Sequence, residues 1–368
     1  MEYKNSIYTT LTIDIKNYKE VNLDEYKNLI YLNVKDSFYI KKLDLSKNTK
    51  LEDLRIYNDK IKNLDLSKNI NLKKLYIYCN YKFNLDLKNN INLTSIWGLK
   101  KMINLSNNIN LLQIHFSKLF DSDINLSKSN KLIYLGFEKN FNKNIKIPSS
   151  INSILISNNN NNNLINKIIK NNNIISLAIF NSIFDIKNLP INLKELRINN
   201  HFGNINLKKS INLTDLTFKN ILNNEIIILS ENLINLTIEN YCIQELTIPL
   251  NLKYLKIIKC NNQYIIDNLH HNIIELIVDD CDLNLDNLPN SIKKLTVLKY
   301  KKELNNLPYS IENLELENYK LKIKKIPKNL KTIKCNDNYE FIDDFKNFEI
   351  EKIPTYDDVN LESFFIRE

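Results

Sequence analysis

The apolar positions of the chain recur in short units that read L-x-x-L-x-I or a close variant of it. In LEDLRI, residues 51–56, Leu54 and Ile56 alternate with polar neighbours and follow the apolar Leu51. Alternation with a period of two is typical of a β-strand that buries one of its faces. Each unit therefore predicts one short strand whose leucine and isoleucine side chains point into a core.

The units repeat at a nearly constant spacing along the chain. Their first residues are Tyr8, Leu29, Leu51, Leu72, Leu93, Leu111, Leu132, Ile151, Ile174, Leu193, Leu213, Leu233, Leu252, Ile273, Ile292, Ile311 and Leu330, with Leu361 as the candidate for a last one. Every step except the last is between 18 and 23 residues, a period characteristic of solenoids. Because so short a unit cannot bury its apolar face alone, stacked copies must share one core. We expect a solenoid of about 17 repeats over residues 1–337, followed by an acidic C-terminal cap over 338–368 that holds one last degenerate repeat.

The segment that leads from one strand to the next comes in two forms. Residues 43–51 read LDLSKNTKL, whereas residues 288–292 read LPNSI, with Pro289 recurring as Pro308 and Pro327. Proline favours an extended or turn backbone, and on the return side it sacrifices no hydrogen bond of the sheet. Since repeats of about 20 residues leave no room for a long helix, we expect an α/β-type, mostly-β solenoid. It would be a right-handed arc with one parallel inner sheet, an extended or 3₁₀ outer side and few helices.

The bend after each strand is expected to hold an inward-facing polar side chain that satisfies backbone groups. Eight residues after the unit start, this position holds Asn80, Asn140, Asn159, Cys260, Cys281 and Asn338, with Asp59, Ser37 and Ser182 as substitutes, and Tyr241 and Tyr300 as residues that do not fit. Stacking would also bring Cys260 and Cys281 within disulfide range. The ladder role accounts for both cysteines without a bond and is favoured.

Residues 157–173, SNNNNNNLINKIIKNNN, form a low-complexity insert inside a 23-residue repeat. Asparagine-rich composition of this kind favours a mobile outer loop. The apolar letters within the insert indicate one helical turn at Leu164–Ile169.

Composition and glycine content exclude several classes of enzyme. The chain contains only three glycines, so it cannot encode a P-loop or a dinucleotide-binding fingerprint, both of which need several glycines at fixed offsets. His270 and His271 are adjacent, and neighbours in an extended segment point to opposite sides, so a loop pair is favoured over a metal site. His115 and His201 are isolated and are expected at the surface. No catalytic residue, metal, cofactor or small-molecule substrate is predicted.

Charge is distributed unevenly between the two halves. Residues 1–184 hold about 27 Lys and Arg against about 15 Asp and Glu, whereas residues 185–368 hold about 24 against about 27. A basic half could bind an anionic polymer such as nucleic acid or a glycan. A solvated lysine-rich surface explains the same numbers, and no basic row is expected on the inner face, so nucleic acid is the alternative and not the leading prediction.

The exposed face of the predicted sheet carries the best candidate site. Equivalent residues of neighbouring repeats lie about 4.8 Å apart, so Tyr76, Trp97 and His115 should form one lateral row flanked by Arg55 and Gly136. The candidate partner-binding residues on the concave face are Arg55, Tyr57, Tyr76, Tyr78, Trp97, His115 and Tyr134. Tyr, Trp and Arg are enriched at interaction hot spots, although exposed aromatic residues also favour strands for their own sake.

Several of these motifs resemble known repeat families. The whole chain resembles leucine-rich repeat proteins, and LPNSI and LPYSI (307–311) are similar to the short repeats of bacterial effectors. FNKNIKIPSSINSILIS (141–157) resembles the FNIP repeat of amoebae and their giant viruses, and LDLSKNTKLEDLRI resembles leucine-rich proteins of AT-rich viruses, protists and bacteria. The resemblance implies a curved binding scaffold with no catalysis of its own. We expect a monomer that binds a protein partner. The repeats leave no space for the ligase or F-box domains that some of these relatives carry.

The ends and the hydropathy of the chain bear on its location. The N-terminal MEYKNSIYTTLTIDIK has no apolar run typical of a signal peptide. No stretch approaches 18 apolar residues, so no transmembrane helix is predicted. We expect a cytoplasmic protein with reduced cysteines, in the host cytoplasm if the source is viral.

Overall fold

The computed structural model describes residues 9–13, 22–35, 40–78, 81, 83–138, 141, 143–158, 162–168, 171–221, 226–241 and 245–354. The chain divides into two compact units, the first formed by Met1–Phe184 with Pro190–Leu193, the second by Asp185–Leu189 with Lys194–Glu368. Each unit contains nine strands of parallel sheet among its described residues. The mostly-β parallel solenoid predicted from the periodicity is therefore confirmed.

The first unit is built almost entirely from four- to seven-residue strands, one per repeat. Its elements are β1 (Thr10–Ile13), β2 (Tyr31–Val34), β3 (Asp53–Ile56), β4 (Lys74–Ile77), β5 (Ser95–Leu99), β6 (Gln113–Phe116), β7 (Ile124–Asn125), β8 (Tyr134–Phe137), β9 (Ile145–Lys146), β10 (Ser153–Ser157), α1 (Asn162–Ile168) and β11 (Ser176–Ser182). The two-residue strands β7 and β9 pair with each other on the return side. The other strands form the main parallel sheet of the unit.

The second unit repeats the same plan. Its elements are β12 (Glu195–His201), β13 (Ile205–Asn206), β14 (Asp215–Ile221), β15 (Ile227–Ile228), β16 (Asn235–Tyr241), β17 (Tyr254–Ile258), α2 (Gln263–Asp267), β18 (Glu275–Asp279), β19 (Lys294–Leu298), β20 (Asn313–Glu317), β21 (Thr332–Asn336), a 3₁₀ turn (Ile342–Phe345) and β22 (Glu349–Ile353). β13 and β15 form a short return-side pair. Strand β22 pairs with β21, so the sheet continues past the expected end of the regular repeats at 337. Leu361 lies outside the described residues.

The core is a stack of leucine and isoleucine side chains in strict register. Leu51, Leu54 and Ile56 are fully buried. Leu54 pairs with Leu75, and Ile56 with Ile77, on the next strand. Each buried side chain contributes about 2 kcal/mol only when a neighbouring rung covers it, which is why the repeats are stable together and not singly.

One turn recurs on the return side of every repeat. The N–H of the first residue of a unit donates to the carbonyl three residues before it, as from Leu51 to Asn48 at 3.1 Å and from Leu252 to Pro249 at 3.0 Å. In the repeats that the structure describes, that carbonyl belongs in turn to Tyr26, Asn48, Asn69, Asn90, Asn108, Ser129, Pro148, Asn171, Pro190, Ser210, Ser230, Pro249, His270, Pro289, Pro308 and Pro327. The two forms of return segment seen in the sequence are thus two ways of making one turn.

The buried asparagine ladder lies in this turn and not at the bend after the strand. Asn69 is fully buried, and its Nδ2 donates to the carbonyls of Leu45 at 3.1 Å and Asn48 at 2.9 Å. Asn48, Asn90 and Asn108 each make the equivalent pair of bonds. Each carbonyl also accepts a backbone N–H of its own turn, so the amide adds a second hydrogen bond that contributes about 0.5–1.5 kcal/mol.

The expectation for the bend itself was partly wrong. Cys260, Cys281 and Ser182 are buried there as predicted, and the two cysteines are free thiols. Asp59 and Asn338 are instead exposed. Asn58 and Tyr339 are buried in their place. The first bend places its buried residue one position before the eighth residue of the unit count, and the second places it one position after. Asn80, Asn140, Asn159 and Ser37 lie outside the described residues.

Tyrosine does fit this bend, contrary to expectation. Tyr300 is buried, and its hydroxyl donates to the carbonyl of Leu283 at 2.7 Å. The longer side chain reaches back across the preceding repeat, where an asparagine would bond locally. Tyr339 makes the same kind of bond to Leu321 at 2.8 Å.

The asparagine-rich insert is more ordered than a mobile outer loop. It forms helix α1, close to the predicted turn, and the side chains of Leu164 and Ile168 are buried. Leu164 and Ile168 thus join the core, since burying their side chains outweighs the weak helix preference of asparagine.

Candidate partner-binding surface on the exposed face of the sheet

The lateral row predicted from the repeat spacing is present in the first unit. The strand register pairs Arg55 with Tyr76, Tyr76 with Trp97, Trp97 with His115, and His115 with Gly136. All five alternate with core residues along their strands, so they emerge on the face opposite the leucines. Parallel pairing without a shift then places them side by side.

The rings of this row stack on one another. The Trp97 and His115 ring centroids are 4.4 Å apart with planes 10° from parallel. Tyr76 stacks on Trp97 from the adjacent strand β4 at 6.0 Å, and Tyr134 stacks on it from β8, two strands away, at 5.9 Å. Trp97 is the only tryptophan of the chain and stands at the centre of the cluster.

A second row of tyrosines joins the first at the ends of strands β3 and β4. Tyr57 and Tyr78 stack with centroids 4.6 Å apart, and Tyr78 also stacks on Tyr76 at 5.9 Å. Tyr78 is 44% exposed. The structure therefore unites all seven predicted residues into one continuous group, called here the aromatic cluster: Arg55, Tyr57, Tyr76, Tyr78, Trp97, His115 and Tyr134.

Arg55 closes one end of the aromatic cluster. Its guanidinium carbon lies 4.7 Å from the ring centroid of Tyr76 and 5.3 Å from that of Tyr31. Nε and Nη2 donate to the two carboxylate oxygens of Asp53, at 3.2 Å and 3.1 Å. This paired hydrogen bond raises the pKa of Arg55 and fixes the plane of the guanidinium. Sequence reasoning missed Tyr31, which the same counting rule places on the exposed face of β2.

His115 is buried, although the sequence suggested a surface position. The residue is 3% exposed, beneath the Trp97 ring. Burial lowers the pKa of His115 to about 4, so the imidazole is neutral near pH 7. Its Nδ1 lies 3.6 Å from a carboxylate oxygen of Glu138, beyond hydrogen-bond length. His115 thus supports Trp97 and does not itself offer a contact surface. His201, the other histidine expected at the surface, is also buried.

Two of the three glycines of the chain shape the floor of the aromatic cluster. A Cβ on Gly136 would lie 2.0 Å from Cδ2 of His115, so the imidazole occupies the space of the missing side chain. Gly98 has φ +90°, and a Cβ there would lie 1.9 Å from the carbonyl oxygen of Ile77. It forms a bulge in β5, since the register shifts between Trp97 and Leu99. Reading strands one at a time gave no sign of either role.

The polar groups of the aromatic cluster are held in a neutral, hydrogen-bonding state. The indole Nε1 of Trp97 donates to Oγ of the buried Ser95 at 3.0 Å. Burial raises the pKa of the Tyr78 and Tyr134 hydroxyls, which stay protonated and able to donate. Since the ring faces cover one another, ring edges and hydroxyls are what the surface presents.

A small cleft opens beside the aromatic cluster. It has a volume of about 270 Å³. Tyr78, Gly98, His115, Lys118 and Glu138 are among its lining residues. The ring of Tyr78, the ammonium group of Lys118 and the carboxylate of Glu138 therefore border one depression. Such a lining suits a polar side chain of a partner.

The exposed face of the second unit is charged, as the sequence predicted. Its lysines pair laterally with glutamates on adjacent strands. The ion pairs are Lys219 with Glu239 at 2.7 Å, Lys294 with Glu275 at 2.9 Å, and Lys334 with Glu315 at 3.4 Å. Exposed pairs of this kind contribute at most about 1 kcal/mol each, and the charges largely cancel.

The described residues offer neither a metal site nor a membrane-spanning helix. Within the described ranges no group of three or more His, Cys, Asp or Glu side chains could hold a metal ion. His270 occupies the turn position instead, with Nε2 lying 2.7 Å from the carbonyl oxygen of Pro249. Among the helices that the structure describes, none has the length and apolar character needed to cross a bilayer.

Comparison with known proteins gives structural similarity only. No protein-family model and no curated protein sequence matches the chain. Similar solved structures include the functional domain of InlJ from Listeria monocytogenes (17% identity, TM-score 0.37, 86% of this chain and 65% of that one). They also include YopM from Yersinia enterocolitica (15%, 0.42, 90% and 78%) and a leucine-rich repeat protein from Leptospira interrogans (14%, 0.41, 95% and 99%). The present chain thus spans slightly under two thirds of the InlJ domain.

Proposed function

From this leucine-rich repeat fold, we propose that the protein is a non-catalytic scaffold that binds a protein partner through the aromatic cluster of its first unit. The observation that supports the proposal is the stacking of Trp97 between Tyr76 and His115 on the solvent side of the sheet. A monomeric core does not need this arrangement, because these rings lie on the face away from the leucines.

The aromatic cluster is suited to binding because it is ordered in advance. Side chains that stack on their neighbours have already lost the rotamer freedom that a partner would otherwise have to remove, at about 0.5–1.5 kcal/mol per side chain. Tyr, Trp and Arg dominate the energetics of protein interfaces. Their exposed edges combine apolar area with hydrogen-bonding groups, which suits a folded protein surface.

The alternative of an anionic polymer receives no comparable support. Arg55 is the only cation in the aromatic cluster, and the Asp53 carboxylate neutralises it. Nucleic-acid affinity needs several cations aligned with successive phosphates.

The experiment is quantitative affinity purification from the native cell type with the intact chain and the variants Trp97→Ala and Tyr76→Ala. The expected result is loss of a specific partner, with affinity reduced at least about 30-fold for Trp97→Ala, as for a hot-spot residue. Tyr254→Ala is the matched control, since Tyr254 is an exposed strand tyrosine of the second unit, 42% exposed. Equal recovery of every partner by wild type and Trp97→Ala would refute the proposal.

A further inference from the structure

The asparagine ladder of the first unit stops after Asn108, because the next two residues at this position are Ser129 and Pro148. Asn69, Asn90 and Asn108 each reach back to two carbonyls of the preceding turn, at 2.9–3.1 Å. The next residue at this position is Ser129. Its shorter side chain makes no such bond to the turn before it in the described chain, so the carbonyls of Leu105 and Asn108 lose their ladder donors.

A groove lies where the ladder stops. It has a volume of about 580 Å³ and separates residues 102–109 from residues 125–131. In the described ranges, the one side-chain hydrogen bond across it runs from Lys131 Nζ to Asn110 Oδ1, at 2.8 Å. We call it the return groove, and it is remote in the repeat from the strands that carry the aromatic cluster.

The return groove uncovers side chains whose equivalents are buried in the three preceding repeats. Ile103 and Leu105 are half-buried. Their equivalents are 1–6% exposed in the three preceding turns, at Leu43, Leu45, Leu64, Leu66, Leu85 and Leu87. Ile109, at the rim, is 69% exposed. The groove thus has an apolar floor and an apolar lip.

A backbone edge also borders the return groove. Strand β7 pairs with β9 through bonds from the Ile124 N–H to Asn144 and from the Leu126 N–H to Lys146, both at 2.8 Å. Among the described return segments, β9 is the one strand partner of β7. Asn125 of β7 lines the groove together with residues 103–105. An edge with a free side can accept one more strand.

The charge of the groove lining determines which side chains a bound strand would carry. The lining of the return groove includes Lys128 and Lys131 and, in the described chain, no Asp or Glu. The neighbouring Asp123 is directed away, since its carboxylate accepts from the Asn144 N–H at 2.9 Å. The lining also lacks aromatic rings, on which single-stranded nucleic acids stack.

We propose that the return groove binds an extended acidic peptide segment of a partner protein. Its backbone pairs with the free edge of β7, its apolar side chains cover Ile103 and Leu105, and its carboxylates meet Lys128 and Lys131. This site is independent of the aromatic cluster.

The test is Ser129→Asn, which is designed to extend the asparagine ladder by one repeat and thereby to close the groove. The probe is a fluorescein-labelled octapeptide of alternating glutamate and leucine, titrated with the full chain and followed by anisotropy. We expect saturable binding, weakened at least about tenfold by Ser129→Asn, together with an equal or higher melting temperature. The double variant Lys128→Glu with Lys131→Glu should weaken binding by a similar factor, and it remains informative if Ser129→Asn fails to fold.

Three controls complete the experiment. Trp97→Ala should leave peptide binding unchanged, so that failure of this proposal and failure of the proposed function are distinguishable. The same octapeptide with lysine in place of glutamate should bind at least about tenfold more weakly. Absence of saturable binding, unchanged binding by folded Ser129→Asn, or equal competition by an oligothymidylate would each overturn the proposal.

Discussion

The imidazole of His115 lies in the space that a Cβ of residue 136 would occupy, 2.0 Å from that missing atom. The two residues are register partners on adjacent strands. The absence of a side chain on one strand therefore sets the depth of the ring on the other. Because Trp97 stacks on that ring at 4.4 Å, Gly136 indirectly sets the height of the tryptophan.

Gly136→Ala should disturb the aromatic cluster without unfolding the protein. The new methyl group forces His115 out of its place, at a cost of about 1–3 kcal/mol typical of overpacking. Intrinsic fluorescence should report the shift, since Trp97 is the only tryptophan. Gly203→Ala is the control, because Gly203 lies in the second unit. An unchanged Trp97 emission spectrum in Gly136→Ala would contradict the packing described here.

Stability should fall in mild acid because of His115. Burial lowers the pKa of His115 from 6.5 to about 4. Between pH 6.5 and pH 4, His115 is therefore protonated in the unfolded chain but neutral in the folded one. Stability is therefore undiminished above pH 6.5 and is lost as the pH falls toward 4, by about 2 kcal/mol at pH 4.5.

Urea unfolding at pH 7.5 and pH 4.5 measures this effect. His115→Gln, which cannot titrate, should lose about 2 kcal/mol less than wild type between the two values. The same pH dependence in both proteins would show that His115 is not the group responsible.

Asn69→Ala should be strongly destabilising. It removes two buried hydrogen bonds, and we expect a loss of about 1–3 kcal/mol in the free energy of unfolding. Asn71→Ala is a matched control two residues away. Asn71 also donates to a carbonyl of the preceding repeat, that of Thr49 at 2.9 Å, but at an exposed site. Its loss should cost less than about 1 kcal/mol; comparable losses for the two variants in urea unfolding would argue against the buried ladder.

Lys299→Asn should stabilise the second unit. Nine residues of the chain, one per repeat from Asn158 to Asn318, have φ between 47° and 55°. Asparagine occupies six of these positions, and Lys299, with φ 51°, is one of the others. Because asparagine tolerates the left-handed region better than lysine, the melting temperature should rise, with a gain of about 0.5–1 kcal/mol. Lys293→Asn, outside that conformation, should give no such gain.

The repeat pattern was sufficient to predict the fold and the placement of the aromatic cluster. Leu51, Leu54 and Ile56 mark their strand by alternation alone, and equal spacing then aligns Tyr76 with Trp97. Both features follow from a single repeat unit and its spacing, so they can be predicted by counting residues along the sequence. Whether the cluster binds a partner stays a prediction.

Features that depend on contacts between residues of two different repeats could not be predicted in this way. The burial of His115 follows from Gly136, twenty-one residues later, and the fit of Tyr300 follows from a carbonyl at Leu283. The Asn69 ladder was missed because asparagine is abundant throughout the chain and its side chains carried no distinguishing mark. Its constant distance of three residues before the next leucine was the available signal.

The side-chain amides of the ladder all point the same way along the polypeptide. Asn108 donates to Asn90, Asn90 to Asn69, and Asn69 to Asn48. Each ladder amide therefore finds both of its acceptors in chain that the ribosome has already released. Such a chain can be laid down turn upon turn during translation, with the earliest coils serving as the template for the later ones.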